Sequence, residues 1–214
     1  MIEIPVHDMD GQQVGSFEVD EQTLGGEVRP TLLKQAYVRM HANRRSGSAH
    51  TRNRSEVSGS TSKMYRQKGS GNARRGPRGT NIMKGGGHGH SKKPHSWRLD
   101  MPRKMRRLAN RNALLAKAVD GEIKIVESLD FETPSTKQMV RLLESLKIDR
   151  TCLLALADTR SPSARSAANV ASVHLTRVDR LNAFDVLNHR YLLVERQALA
   201  DLIAGGGAEN KEAQ

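Results

Sequence analysis

One segment of the chain is strongly basic. Residues 41–111 contain 19 Lys and Arg residues and only two acidic residues, so their formal charge is +17. The other 143 residues contain 16 basic and 21 acidic residues, which gives a formal charge of −5. Because like charges repel one another when they are packed together, residues 41–111 require an anionic partner. The sequence therefore predicts a mildly acidic body that carries one anion-binding segment.

The centre of this segment also lacks the side chains from which a hydrophobic core is built. Only ten of the 59 residues in 41–99 are apolar, and another ten are Gly. Burial of so little apolar surface cannot offset a backbone entropy cost of roughly 1–2 kcal/mol per residue. We therefore predict a globular domain of residues 1–44 and 100–204, an extended loop of residues 45–99 that is disordered when free, and a flexible tail of residues 205–214.

Several classes of protein are excluded by what the chain lacks. The single cysteine, Cys152, excludes an intrachain disulfide and a cysteine-cluster metal site, and it fits a reducing compartment. No apolar run approaches the roughly 20 residues that a membrane-spanning helix needs. The first residues, MIEIPVHDMDG, resemble neither a secretory signal nor a transit peptide. We expect a soluble, cytoplasmic protein without a membrane partner.

The first part of the body is predicted to contain two strands and a helix. Residues 1–6 and 14–19 alternate between apolar and polar side chains and predict a strand pair, in which Pro5 favours an edge position. Pro30 opens a helix. The apolar stripe of this helix comprises Leu33, Ala36, Tyr37 and Met40.

A second helix is predicted over residues 103–119, with an apolar arc and a cationic arc. Met101, Met105, Leu108, Leu115 and Val119 share the apolar arc, and Leu114 lies outside it. The opposite arc carries Arg103, Lys104, Arg107 and Arg111. The helix thus offers one face to the body and another to an anion, and Gly121 ends it.

Strands and helices alternate through the rest of the body. Strands are predicted at 123–128, 151–158, 172–178 and 191–196, and helices at 162–170, 184–188 and 197–204. A further helix carries the apolar stripe Met139, Leu142, Leu143 and Leu146, with Thr133 as its N-cap and Pro134 as its first residue. This alternation predicts an α/β fold with a mainly parallel sheet flanked by helices and one long basic loop inserted after the first helix.

The motifs that could support catalysis or metal binding are weak. The Gly-rich stretches 69–76 and 85–92 lack the spacing of a dinucleotide or phosphate loop. His88, His90 and His95 have no acidic residue nearby, so solvated or RNA-contacting roles are favoured over metal ligation, and their role stays open. Asp158 is best interpreted as a loop acid or N-cap. We therefore expect no enzyme activity, cofactor, metal or small-molecule substrate.

The basic loop itself predicts binding to RNA. Its cations outnumber its acids by 14 to one within 41–99, and the Gly, Ser, Thr and Asn residues between them let the backbone approach phosphates. Tyr65 and Trp97 could stack on bases, and a long arm suits folded RNA better than a DNA groove. The predicted contacts in the loop are Arg44, Arg45, Arg52, Arg54, Lys63, Tyr65, Arg66, Gln67, Lys68, Arg74, Arg75, Arg78, Lys84, Lys92, Lys93, Trp97 and Arg98, and the cationic arc of the second helix adds Arg103, Lys104, Arg107 and Arg111.

These residues resemble a known family. The stretch TRNRSEVSGSTSKMYRQKGSGNARRGPRGT (51–80), the glycines 85–87, the helix start MPRKMRRLA (101–109) and VDRLNAFDVLNH (178–189) are similar, in order, to motifs of the bacterial-type fourth protein of the large ribosomal subunit. The departures are Tyr65 for the usual Trp, Ser70 for Thr and Asn72 for Arg, together with a His- and Lys-rich stretch after the glycines.

The resemblance implies a structural constituent of the large ribosomal subunit that binds 23S rRNA early in assembly. The family's loop reaches the wall of the polypeptide exit tunnel, beside the large-subunit protein numbered twenty-two. The residues that match the tunnel-constriction motif are Arg66, Gln67, Lys68, Gly69, Ser70 and Gly71. Two alternatives remain open, a general RNA chaperone and a nucleic-acid-modifying enzyme with a basic substrate arm. Neither should remain bound in stoichiometric amounts to 50S particles after a high-salt wash.

Overall fold

The computed structural model of the chain describes residues 1–206. The described residues form two compact units. One consists of Met1–His41 and the chain from Asp100 onward, and we call it the body; the other is Ala42–Leu99, which we call the basic segment. The predicted tail lies outside the described residues except for its first two, Gly205 and Gly206.

The body is built on one six-stranded sheet. The strands are β1 (Ile2–His7), β2 (Gln13–Val19), β3 (Ile123–Val126), β4 (Cys152–Leu156), β5 (Val173–Arg177) and β6 (Tyr191–Glu195). Their order across the sheet is β2-β1-β3-β6-β4-β5. Only the β1–β2 pair is antiparallel, and the four other pairs are parallel. The prediction of an α/β fold with a mainly parallel sheet is confirmed.

Six α-helices accompany the sheet within the described residues. They are α1 (Pro30–Asn43), α2 (Arg103–Val119), α3 (Thr136–Ser145), α4 (Pro162–Ala168), α5 (Ala183–Asn188) and α6 (Arg196–Asp201). A 3₁₀ turn precedes α5 at Val178–Arg180, and a π-helical turn at Leu202–Gly206 follows α6. None of the described helices has the length and apolar character needed to cross a membrane.

The two faces of the sheet are buried under different helices. Successive side chains of a strand point to opposite faces, and the buried residues of β4 divide accordingly. Leu153 and Ala155 pack in a cluster with residues of α1, α2, α5 and α6. Cys152, Leu154 and Leu156 pack in a second cluster with residues of α3 and α4. All five residues of β4 are buried, as its continuous apolar run predicted.

The expectation that Pro5 lies on an edge strand is wrong. Strand β1 lies between β2 and β3, and the edges of the sheet are β2 and β5. Proline is tolerated here because β3 is short and pairs only with Val6 and His7, the last two residues of β1. Pro5 therefore precedes the parallel ladder, where its missing N–H would have left a gap.

The helix α3 begins later than predicted. Its N-cap is Ser135, whose side chain accepts a hydrogen bond from the Gln138 N–H, and so Thr133 and Pro134 precede the cap. The backbone N–H of Ser135 donates to the Ser166 hydroxyl of α4 at 2.8 Å. This partner is 31 residues away along the chain, so the local pattern Thr-Pro could not reveal it.

The apolar arc predicted for α2 is correct only in part. Val119 is 61% exposed, whereas Leu114, which lies off that arc, is buried. The second half of α2 is covered around most of its circumference, since Asn112, Leu114 and Lys117 are all buried. The Lys117 ammonium is satisfied there by the Glu122 carboxylate and the Arg190 carbonyl. Burial along α2 therefore depends on position along the axis as well as on the face.

Candidate nucleic-acid interface

The basic segment is a hairpin of irregular backbone. No helix or strand lies between Asn43 and Arg103 in the described chain. Instead, the outgoing and returning backbones are joined by nested hydrogen bonds. From the open end inwards, the Leu99 N–H donates to Asn43 Oδ1 (2.8 Å), the His95 N–H to the Gly47 carbonyl (3.0 Å), the Thr51 N–H to the Lys92 carbonyl (2.9 Å) and the His88 N–H to the Arg52 carbonyl (2.9 Å).

Residues 66–71 lie at the closed end of this hairpin. The Met64 N–H donates to the Gly76 carbonyl at 3.4 Å, and the Tyr65 hydroxyl donates to the Ala73 carbonyl. Inside these two bonds, the Arg66 guanidinium donates to the Gly69 carbonyl at 2.6 Å. Gly69 has a φ of +81°, a left-handed conformation that glycine adopts without steric cost. The backbone thus reverses where the sequence comparison placed the constriction motif.

The predicted cationic contacts of the hairpin are distributed along its surface. Every Lys and Arg predicted to contact RNA in the basic segment is exposed, as are Gln67 and Trp97, while Tyr65 is half-buried. In the body, the four cations of the predicted arc of α2 are also exposed. An exposed guanidinium or ammonium keeps its donors available to phosphate oxygens. Within the hairpin, the predicted cations are therefore spread over exposed positions along the segment and are not gathered in one buried site.

Two residues of the hairpin, Arg45 and His95, contact the ring of Trp97. The Arg45 guanidinium lies 3.7 Å from the ring centre of Trp97, and the His95 ring meets the same indole edge-on at 4.4 Å. These three residues, predicted separately as RNA contacts or left open, are brought together near the open end of the hairpin. Arg45 covers one face of Trp97, so that face is not available for the base stacking predicted from sequence.

The acid of the hairpin, Glu56, lies in a cluster of donors. Within the basic segment it is the sole acidic residue. Its carboxylate accepts hydrogen bonds from the Lys93 ammonium and from the Asn53 backbone N–H (3.1 Å), and His50 Nε2 lies 4.0 Å away. The hydrogen bond from Lys93, followed by that from Asn53, lowers the pKa of Glu56 from its ordinary value. Lys93 is thus paired with an acidic residue inside the hairpin.

Glycines allow the two backbones to approach closely beside this cluster. Gly87 is buried, and a Cβ atom on it would lie 2.3 Å from the Arg54 nitrogen. A Cβ atom on Gly86 would lie 1.9 Å from the Thr80 carbonyl oxygen. Contacts this short are not sterically possible. A side chain at Gly87 would push the outgoing and returning backbones apart, and one at Gly86 would distort the local turn of the returning backbone. This gives a physical reason for Gly86 and Gly87.

The structure assigns ordinary roles to the other candidate groups. Within residues 1–206, no three His, Cys, Asp or Glu residues are placed so that they could hold a metal ion. The Asp158 carboxylate accepts from the Arg160 N–H at 2.9 Å, as a loop acid does. Cys152 is fully buried, and burial raises the pKa of its thiol to about 12. His88 and His90 are exposed.

Sequence reasoning missed the residues that hold the hairpin together. Asn53 Oδ1 accepts from the N–H groups of Ser55 and Glu56, and the Asn53 N–H donates back to the Glu56 carboxylate. This reciprocal arrangement is the one that a capping box makes at a helix start. The Asn-x-x-Glu spacing of residues 53–56 was a signal for it, although no helix follows here. The backbone partners Gly47 and Thr51 left no comparable signal.

The chain is similar over most of its length to proteins of one family. Residues 17–204 match the model of the ribosomal protein L4/L1 family. A large ribosomal subunit protein uL4 from Rhodopirellula baltica is 36% identical over 200 residues, which cover 93% of this chain and 90% of that relative. The protein of the same name from Moorella thermoacetica is 37% identical over 201 residues, 94% of this chain and 97% of the relative. The protein of the same name from Dehalococcoides mccartyi is 35% identical over 198 residues, which cover 92% of this chain and 94% of that relative.

Proposed function

Because this chain belongs to the ribosomal protein L4/L1 family, we propose that it is a structural constituent of the large ribosomal subunit. It binds 23S rRNA early in assembly through the basic segment and the cationic face of α2. It acts in the cytoplasm, within the ribosome, beside other large-subunit proteins. Its contribution is structural rather than catalytic, and it needs no cofactor, metal or small-molecule substrate.

The observation that carries this proposal is the distribution of charge on the hairpin. The segment 41–99 has 14 cations and one acid, and that acid is already paired with Lys93. The other cations are exposed along both backbones. Each cation that replaces a condensed counterion on RNA contributes to affinity, so a dozen of them on a narrow arm suit a crevice lined with phosphates.

The closed end of the hairpin is proposed to reach the wall of the polypeptide exit tunnel. Residues 66–71 match the family's constriction motif and lie where the backbone reverses. A reversal that is narrow and free of apolar side chains can pass between RNA helices and present few groups to a nascent chain. The neighbour at this point is proposed to be the large-subunit protein numbered twenty-two.

The test of membership in the subunit is retention on purified particles. Cells that express a tagged chain are fractionated, and 50S particles are washed at high salt. One copy of the chain per particle is expected after the wash. A general RNA chaperone, or an enzyme that uses the basic segment as a substrate arm, would be removed, and its loss would reject the proposal.

The tunnel placement has a separate test. Lys68→Glu reverses one charge at the closed end, and Lys84→Glu reverses an exposed charge of the returning backbone. Both variants should assemble, because many other cations anchor the hairpin. Only Lys68→Glu should change the affinity of purified 50S particles for a macrolide, which binds in the tunnel. Equal, unchanged affinity in both variants would contradict the tunnel placement.

A further inference from the structure

The outgoing and returning backbones of the hairpin are joined by several contacts close together at one level. We call residues 51–56 and 87–93 the junction. Thr51 and Lys92 are joined twice, because the Thr51 N–H donates to the Lys92 carbonyl (2.9 Å) and the Lys92 N–H donates to Thr51 Oγ1 (2.8 Å). The His88 N–H donates to the Arg52 carbonyl, and Gly87 packs directly on the backbone of Arg54.

Glu56 connects the parts of the junction. Through its carboxylate it closes the turn of residues 53–56, by accepting from the Asn53 N–H, and it also binds Lys93 of the returning backbone. The two functions use one side chain, so a loss of the carboxylate would release both the turn and the cross-link. An isolated exposed ion pair contributes little, but a carboxylate that also accepts a backbone N–H belongs to a coupled network.

We propose that Glu56 is a positioning residue that fixes the shape of the RNA-binding hairpin, and that Lys93 is its structural partner rather than a phosphate ligand. This inference rests on the proposed function, because it assigns roles within the same rRNA-binding hairpin. It divides the cations of the returning backbone into phosphate ligands, such as Lys92, and a structural lysine, Lys93. Lys92 and Lys93 are adjacent and both exposed, yet the described structure gives an ion pair to Lys93 and none to Lys92.

The proposal makes a counterintuitive prediction about Glu56. An acidic side chain in a phosphate-binding arm should weaken binding by repulsion, so its neutralisation would ordinarily strengthen affinity for RNA. If Glu56 instead fixes the shape of the hairpin, then Glu56→Ala, which removes the acceptor oxygens together with the charge, should weaken affinity by about two- to tenfold. Lys93→Ala should weaken affinity to a similar extent, and the double variant should be no weaker than either single variant.

The salt dependence of binding distinguishes a phosphate ligand from a structural lysine. Each lost phosphate contact lowers the slope of log K against log salt by about 0.7. Lys92→Ala should therefore flatten the slope by about that amount. Lys93→Ala should reduce the affinity but leave the slope unchanged, and Lys93→Arg, which can still pair with Glu56, should recover most of the affinity.

The experiment measures the affinity of the full-length chain and these variants for a fragment of 23S rRNA at several salt concentrations. The thermal melt of each variant, which reports on the body, should equal that of the wild type. Tighter binding by Glu56→Ala, or equal slope changes in Lys92→Ala and Lys93→Ala, would overturn the inference while leaving the proposed function intact. A wild-type slope near zero would overturn the proposed function and, with it, the inference.

Discussion

The body and the basic segment obtain their order from different sources. The body has two apolar clusters, one on each face of a six-stranded sheet, and β4 is buried along its entire length. After Asn43 the basic segment has neither helix nor strand, and its backbones are joined by a few hydrogen bonds, close glycine contacts and the carboxylate of Glu56. Apolar burial scales with area, whereas the contacts of the hairpin are few and each depends on its neighbours.

This difference implies a division between a body that folds on its own and a hairpin whose shape depends on a partner. The body should be stable without a partner, because its core residues lie outside the hairpin. The hairpin has little apolar surface to bury, so its shape and its affinity for RNA should depend on one another. Substitutions in the two regions should therefore change different measurements.

The largest contrast is expected in thiol reactivity. Cys152 is fully buried in the body, and burial raises the pKa of its thiol to about 12, so at pH 8 the native thiol is protonated and inaccessible. In the native chain the reaction of Cys152 with a thiol reagent should be at least about 1,000-fold slower than in denaturant. The reason is that the thiol is exposed only in the small fraction of molecules that are unfolded. A cysteine introduced by Ser58→Cys, at an exposed site of the hairpin, should react at the rate of a free thiol. Comparable slow rates at both positions would show that the hairpin is as protected as the body.

Truncation of a large side chain should also distinguish the two regions. Leu153 is fully buried in β4, and Leu153→Ala should reduce the free energy of unfolding by about 2–5 kcal/mol. Ile82 in the hairpin is 80% exposed, and Ile82→Ala should change the free energy of unfolding by less than about 0.5 kcal/mol. Chemical denaturation followed by circular dichroism measures both values. A large loss in Ile82→Ala would mean that the hairpin contributes to the core.

A side chain at Gly87 should damage binding without damaging the fold. Gly87→Val places a Cβ atom where the Arg54 nitrogen lies 2.3 Å away, so the two backbones must separate. We expect an affinity loss of about tenfold for rRNA, with an unchanged melting temperature of the body. The control is Gly15→Val in the edge strand β2, where a Cβ atom meets nothing within 4 Å and affinity should not change. Unchanged affinity in Gly87→Val would refute the role of this close approach.

The smallest expected effect is a pH dependence of the hairpin. The Lys93 ammonium and the Asn53 N–H lower the pKa of Glu56 from its ordinary value of 4.5. Since the folded pKa is lower than the unfolded one, the carboxylate stabilises the hairpin at higher pH, and this stabilisation is lost as the pH falls through the lowered pKa. A titration of the Glu56 carboxyl by NMR, in the chain without RNA, should give a pKa below its ordinary value. In Lys93→Ala the pKa should move back towards the ordinary value, and an unmoved pKa would remove Lys93 as its main cause.

The sequence was a good guide to elements whose signals are local. The apolar run of β4 and the glycine after α2 predicted a buried strand and a helix end, and Gly121 indeed follows α2 with a φ of +68°. The family resemblance came from short motifs and was confirmed by the match over residues 17–204. In these cases the chemistry of neighbouring residues is sufficient, because a strand or a helix end is specified within a few positions.

Several of the failures involve contacts between distant residues. The Ser135 N–H at the start of α3 donates to Ser166, 31 residues away, and Pro5 is tolerated within the sheet because β3 is short. The cross-links of the hairpin join positions as far apart as Asn43 and Leu99. None of these partners can be identified from local periodicity, and so the shape of the hairpin was not predictable even where its charge was.

The most direct test of this division is the salt dependence of rRNA binding with and without the hairpin. In one variant a short Gly/Ser linker replaces residues 46–98, and both chains are measured against the same 23S rRNA fragment. If about eight cations of the hairpin contact phosphates, log K for the intact chain should fall by about 5–6 per decade of salt. The variant should keep a cooperative melt and retain only the shallower slope, about 4 or less, that Arg44, Arg45 and the four cations of α2 can supply. A slope near 1 for the intact chain, or a variant without a cooperative melt, would contradict the account.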